Sequence, residues 1–309
     1  MITIAPPSTP PSFALLSLYL KRSLRCVFAV IFTATCFGAS SKETVAQPDP
    51  QWQLTWSDEF NGPNGSSVDP AKWTFTTGGR GFGNDELETY TSRRVNAHLQ
   101  DGNLVITARK EDFTGSDGIS RHYTSARINT KGVFAQAYGR FEARMLLPLG
   151  KGIWPAFWLL GDNHDETPWP KCGEIDILET IGALSTTYST LHGPGYSGDK
   201  GISAKYTLPA GEAVDTAFHL YAVEWSPDDI KFFLDDHLVA ERTRADLPAG
   251  ATWVYDHPFY ILLNFAVGGN WPGSPDEATV FPQQMLIDYV RVYTREALPS
   301  PTAARQGKP

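Results

Sequence analysis

The chain has 309 residues, 41% of them hydrophobic, and a formal net charge of −8. Past residue 46 the balance sharpens to 22 basic against 33 acidic residues, net −11, which argues against nucleic acid and anionic membranes as partners and fits a neutral polymer. The length suits one large sandwich or barrel, and 27 Gly, 23 Pro and 12% aromatic residues favour many short strands over helices.

In chain order, Lys21, Arg22 and Arg25 precede a short apolar run from Cys26 to Gly38. This reads as an export signal, too short for a comfortable membrane span. Thr44-Val45-Ala46 offers a small-residue cleavage site, and Gly38-Ala39-Ser40 competes with it. Residues 1–46 are therefore expected to be an export signal with an N-terminal extension. The mature protein is expected to be secreted or periplasmic, without stable membrane association. Cys26 and Cys36 leave with the signal, so Cys172 stands alone and no intramolecular disulfide is expected; it reads as a small buried residue.

Residues 47–295 read as one domain. Trp52 to Phe60 opens it with alternating apolar residues. Strands are predicted over Asn103–Arg109, Ser125–Thr130, Ala137–Leu147, Gly173–Thr180, Thr186–His192, His219–Trp225, Ile230–Leu234, His237–Arg242, Phe259–Ala266 and Met285–Tyr293. Turn signals such as Asp101-Gly102 and Ser226-Pro227-Asp228 separate them, a pattern of sandwiches and barrels. Pro155–Leu160 and Asp69–Trp73 are the two segments read as helical turns. Residues 296–309 are small, polar and Pro-containing, and are expected to be disordered.

The stretch Gly173-Glu174-Ile175-Asp176-Ile177-Leu178-Glu179-Thr180 carries three carboxylates in six residues. Strand side chains alternate between faces, so Glu174 and Asp176 share one face and Ile175 and Ile177 the other. Glu179 falls out of phase by one residue. A bulge that absorbs Leu178 restores it to the Glu174 face. The two glutamate Cα atoms are then at most roughly 13 Å apart, and inward-leaning side chains bring their carboxyl groups to about 5–6 Å, the spacing of a retaining glycosidase. Asp176 between them can set both pKa values. Taken alone, such alternation also describes a half-exposed strand with a solvated face. No P-loop, HExxH, GxGxxG or GxSxG offers another chemistry. Trp154, Trp158 and Trp169 precede the acidic strand, and Trp271 sits in a Gly- and Pro-rich loop. An indole offers a flat apolar face to a sugar ring. Trp52, Trp56, Trp73 and Trp225 read as core.

These segments together resemble a family 16 glycoside hydrolase of the laminarinase (endo-β-1,3-glucanase) branch. The resemblance rests on Trp56-Ser57-Asp58-Glu59-Phe60, Gly81 to Leu87, Tyr138 to Glu142, Trp154-Pro155-Ala156-Phe157-Trp158, Gly173 to Glu179, Leu191-His192-Gly193, Gly268 to Gly273 and Asp288 to Tyr293. It implies an all-β jelly-roll sandwich of two antiparallel sheets with a concave cleft. It implies Glu174 as nucleophile, Glu179 as acid/base and Asp176 as their support, with no cofactor for catalysis. Asn84, Arg140, Trp154, Trp158, His192 and Trp271 are expected to contact a β-glucan. Glu59, Gly102 (through its carbonyl) and Asp288 match a structural Ca²⁺ site, whose oxygen donors suit a hard cation. The extra Leu178 resembles the laminarinases, although agarases and carrageenases share it; mixed-linkage and xyloglucan enzymes resemble ExDxE. Asp85 departs from the Asn common in relatives. The remaining alternatives are transglycosylation and a non-catalytic glucan-recognition protein, whose relatives lack the glutamates. The protein is expected to act as a monomer.

Overall fold

The computed structural model describes residues 52–295. The expectations for residues 1–46 and 296–309 lie outside them. The strands, in chain order, are β1 (Trp52–Asp58), β2 (Thr74–Thr76), β3 (Glu88–Tyr90), β4 (Ala97–Gln100), β5 (Asn103–Thr114) and β6 (Ser120–Ser125). Then come β7 (Arg127–Asn129), β8 (Gly139–Leu146), β9 (Ile153–Gly161), β10 (Glu174–Glu179), β11 (Thr186–His192) and β12 (Ile202–Thr207). The last are β13 (His219–Trp225), β14 (Asp229–Leu234), β15 (His237–Thr243), β16 (Phe259–Val267) and β17 (Gln283–Arg295).

They form two sheets. A seven-stranded sheet runs β12-β11-β10-β9-β16-β7-β2. A ten-stranded sheet runs β15-β14-β13-β8-β17-β5-β6-β3, with β1 on β17 and β4 on β5. All pairings are antiparallel except β3 with β6. This is the sandwich of a jelly roll.

Alternation decides what each face does. From the smaller sheet, Phe157, Leu159, Ile175, Leu191, Ile261, Leu263 and Phe265 enter the core. From the larger, Phe141, Ala143, Met145, Val223, Val290 and Val292 meet them. Burying such side chains contributes on the order of 1.5–3 kcal/mol each, so the pairing register is strongly specified: a one-residue slip would turn the core face outward.

Pro155–Leu160 is not a helical turn. It lies within β9, between β10 and β16. All but one of the β9 residues are buried, and a strand apolar on both faces has lost the period that would distinguish it from a helix. The turn at Asp69–Trp73 does form: the Lys72 and Trp73 amides donate to the Asp69 carbonyl at 3.0 and 2.9 Å. It delivers Trp73 to the core, where its Nε1 donates to Asp58 Oδ2 at 2.8 Å. Trp225 is also buried, and Trp56 packs edge-on to Trp73. Trp52 stays half-buried on β1, outside the core. Cys172 is free and buried. Among the described residues no helix is long and apolar enough to cross a membrane.

Phe157 has no solvent exposure and packs between the sheets. Phe157→Ala is expected to lower unfolding free energy by about 3–5 kcal/mol, read from urea denaturation with an unchanged m-value.

Candidate active site

The outer face of β10 carries Glu174, Asp176 and Glu179 into one cleft of about 900 Å³. The expected bulge is there. Against β9 the register jumps between Asp176 and Leu178, so Asp176 faces Trp158 and Glu179 faces Ala156. Against β11, Asp176 faces Thr190 and Glu179 faces Tyr188. Ile177 and Leu178 both turn into the core. The ladder cannot pair every backbone group at a bulge, and the Ser189 hydroxyl donates to the Ile177 carbonyl at 2.9 Å.

The registers lay out the cleft floor as three rows across the sheet. One reads Lys205, Tyr188, Glu179, Ala156, Asn264, Arg127. The next reads Ser203, Thr190, Asp176, Trp158, Leu262. The third reads His192, Glu174, Leu160, Tyr260. The acids thus lie mid-floor, with Trp158, Tyr260 and Arg127 on the β9/β16/β7 side and Tyr188, Thr190, His192, Ser203 and Lys205 on the β11/β12 side.

Trp154 Nε1 donates to Glu179 Oε1 at 3.0 Å. His192 Nε2 lies 3.1 Å from Asp176 Oδ2, without the geometry of a hydrogen bond. The approach of His192 needs Gly201, just ahead of β12, where a Cβ would meet the ring Cε1 at 2.5 Å. Trp271 is 42% exposed and packs edge-on to Trp154 and Tyr188, with ring centroids 5.6 and 5.0 Å apart. Its loop is tied down by backbone bonds: Leu87 N to Val267 O and Asn270 N to Asn84 O, both 2.8 Å. Gly268 has φ +69°, and a Cβ there would strike Leu87 at 2.4 Å. Asp85 also has positive φ, 55°, a region that Asn and Asp both enter, so the Asp at this turn keeps its backbone shape.

Burial, then the charge of Asp176, pushes Glu174 up to about 8. Burial, then Glu174, pushes Glu179 up to about 7. Asp176, only 3% exposed, is driven well above the ordinary carboxylate range by burial and then by Glu179. Three acids confined this way cannot all ionise near neutrality. The three acids therefore hold protons in common near neutrality, and a face that carries both carboxylate and carboxylic acid suits paired nucleophilic and acid/base chemistry.

Asn84, Trp154, Trp158, His192 and Trp271 all line the cleft. Arg140 does not. It lies on β8 in the other sheet, where odd-numbered residues fill the core and even-numbered ones point outward. Its guanidinium is held by Glu142 and Glu224 at 2.8 and 2.9 Å. The expectation that Arg140 contacts substrate is corrected accordingly. Sequence reasoning missed Arg127 and Asn264, which line the cleft. A cationic residue inside an otherwise buried strand was the available signal for Arg127. It also left Trp169 without a role; this residue is 43% exposed, lines the cleft and lies 6.1 Å from His192. Tyr188 and Thr190 were legible by stepping back in twos from His192.

The expected calcium ligands do not fit a cation as arranged. Both Glu59 oxygens accept from Arg291 at 2.9 and 2.8 Å. Asp288 accepts from Arg144 at 2.9 Å. Guanidinium groups already neutralise the carboxylates, and Gly102 adds only a carbonyl. Among the described residues, the side chains able to surround one ion are Glu174, Asp176 and His192, whose donor atoms lie within 4.8 Å of one another. They are the floor of the cleft itself.

Comparison with known proteins agrees with this architecture. The family model "Glycosyl hydrolases family 16" matches residues 84–291. The chain is 41% identical over 253 residues to a beta-glucanase of Rhodothermus marinus, covering 79% of this chain and 86% of that protein. It is 36% identical to a glucan endo-1,3-beta-glucosidase of Cryptopygus antarcticus, covering 79% of this chain and 92% of the other. The laminarinase catalytic domain of Thermotoga maritima superposes with a TM-score of 0.76 at 47% identity, covering 80% of this chain and all of that one.

The Trp154 donor favours the charged form of Glu179, so its loss should raise the carboxyl's pKa. Trp154→Phe is expected to move Glu179 upward from about 7, read by carbon-13 NMR titration of the glutamate carboxyls. An unmoved or lowered value would contradict the hydrogen bond's role.

Proposed function

Because the chain belongs to glycosyl hydrolase family 16, we propose that it is a retaining endo-β-1,3-glucanase acting on laminarin-type glucan. The observation that carries this reading is the bulged β10, with Glu174 and Glu179 in one cleft on either side of a deeply buried Asp176. Glu174 attacks the anomeric carbon as Glu179 protonates the departing glycosidic oxygen. The glycosidic bond breaks and a glycosyl ester forms on Glu174. Glu179, now a carboxylate, takes a proton from water. The water oxygen attacks the same carbon and displaces Glu174, so two inversions retain the β configuration. Asp176 orients Glu174. His192 opposes the build-up of negative charge. Its positive influence favours the ionised forms of both glutamates.

The aromatic groups support a sugar polymer. Trp154, Trp158 and Trp271 offer apolar faces and edges, while Asn84 and Arg127 offer hydrogen bonds to hydroxyls. No step requires a metal or cofactor. The basic residues Lys21, Arg22 and Arg25 ahead of the apolar run Cys26 to Gly38 support export to the medium or the periplasm, where the enzyme acts as a monomer.

Release of reducing ends from laminarin, in parallel with lichenan and agarose, tests the substrate assignment. The expected order places laminarin first; preference for agarose would overturn it. Glu174→Gln is expected to lose roughly 10⁴-fold or more in kcat. Glu179→Ala should recover turnover of an activated aryl glycoside with azide and give the β-glycosyl azide; failure to trap that product would reject Glu179 as acid/base.

Glu179 must be protonated to donate. With its pKa raised to about 7, the alkaline limb of kcat/KM should fall as pH rises through about 7, while the need for an ionised Glu174 closes the profile on the acid side. An unperturbed glutamate would instead cut activity above about 4.3. A pH profile on a soluble β-1,3-glucan separates these outcomes.

A further inference from the structure

Behind Trp158 lies a line of hydrogen bonds that all point the same way. An indole N–H can only donate, so Asn264 must turn its Oδ1 toward Trp158 Nε1, 2.7 Å away. That orientation commits the Asn264 amide nitrogen to Tyr90, whose hydroxyl oxygen accepts at 3.2 Å. The Tyr90 O–H then donates to Glu86 Oε2 at 2.8 Å. Tyr90 is fully buried, and Glu86 borders the cleft. Four residues from β9, β16, β3 and the 81–87 turn are joined indole to amide to phenol to carboxylate. Each donor polarises the next, and a charged acceptor at the end strengthens such a chain.

Beside that end, Glu88 is fully buried; its Oε2 accepts from the Val267 amide at 2.7 Å, and its Oε1 has no partner. Burial and the nearby Glu86 push Glu88 well above the ordinary range. Burial, then Glu86, pushes the Tyr90 phenol well up, so it stays a donor. Arg127 lies over the Trp158 ring at 4.8 Å, which holds the indole by its face. The hydrogen-bond chain holds it by its edge.

We propose that Tyr90 is a positioning residue of the cleft: it joins Asn264 to Glu86 and thereby fixes the plane of the Trp158 indole against which a sugar ring packs. The proposal rests on the glucanase reading of the cleft. Trp158 lies beside Asp176 in the sheet, yet it takes no part in bond making or proton transfer. Its packing serves bound substrate and transition state alike, so loosening it should raise KM more than it lowers kcat.

Tyr90→Phe deletes one hydroxyl and keeps the ring. The expected result is a KM for laminarin raised roughly three- to ten-fold, the value of one buried hydrogen bond, with kcat within about two-fold. The Trp158 Nε1–H resonance, identified with Trp158→Phe in protein carrying nitrogen-15 tryptophan, should move upfield. This readout needs no substrate, so it tests the chain even if laminarin proves to be the wrong polymer. Glu86→Gln retains an acceptor and should leave that resonance in place, whereas Glu86→Ala should move it as Tyr90→Phe does. The alanine variant also serves if Tyr90→Phe does not fold. An unmoved resonance in both chain-breaking variants, or a fall in kcat at constant KM, would overturn the proposal.

Discussion

A strand that seals a hydrophobic core has only half its side chains to spend elsewhere. On β10 the inward half is Ile175, Ile177 and Leu178, and the two adjacent members of that set mark where the ladder breaks. Without the break, Glu179 would point into the core. With it, a third acid joins the two already facing outward. The geometry of the cleft therefore depends on core packing: Ile177 and Leu178 stay inside because burial favours them, and Glu179 is turned out as a result. The Ser189 hydroxyl on the Ile177 carbonyl limits the cost of the irregularity.

The same arrangement sets the electrostatics. Holding three acids on a partly dry floor is unfavourable unless protons are kept. This chain offsets the cost with few direct partners. Glu179 has the Trp154 indole, and His192 lies beside Asp176. Elsewhere the contrast is sharp: Glu59, Glu142 and Asp288 each have an arginine at hydrogen-bond distance. Carboxylates paired with guanidinium lose the freedom to exchange protons. Those on β10 have no such partner, and burial followed by their mutual repulsion raises their pKa values.

Period-two reasoning was enough to read the carboxylate strand, its bulge and the all-β class, because burial on one face leaves an alternating trace in the sequence. It failed on β9, buried on both faces, where Pro155–Leu160 shows no alternation. Short strands such as β2 and β3 carry too few residues for any period. Arg140 was placed by resemblance, and nothing in the local alternation says which sheet owns its strand. His192 and Trp271 were legible from local sequence. Arg127, Asn264 and Tyr90 were not, since their meaning comes from strands far apart in the chain that only the folded sheets bring together. The pairing of Glu59 and Asp288 with arginines was illegible for a related reason: Arg291 and Arg144 come from separate strands.

The 84–87 turn and the loop after β16 are about 180 residues apart in sequence, yet they are stitched by two main-chain bonds and by the close seat of Gly268 on Leu87. They form a single mechanical piece of the rim. Anyone recombining this scaffold with a cousin should therefore treat the two as one cassette. Exchanging either alone would unseat Trp271, while exchanging both would carry over an intact wall with its own register.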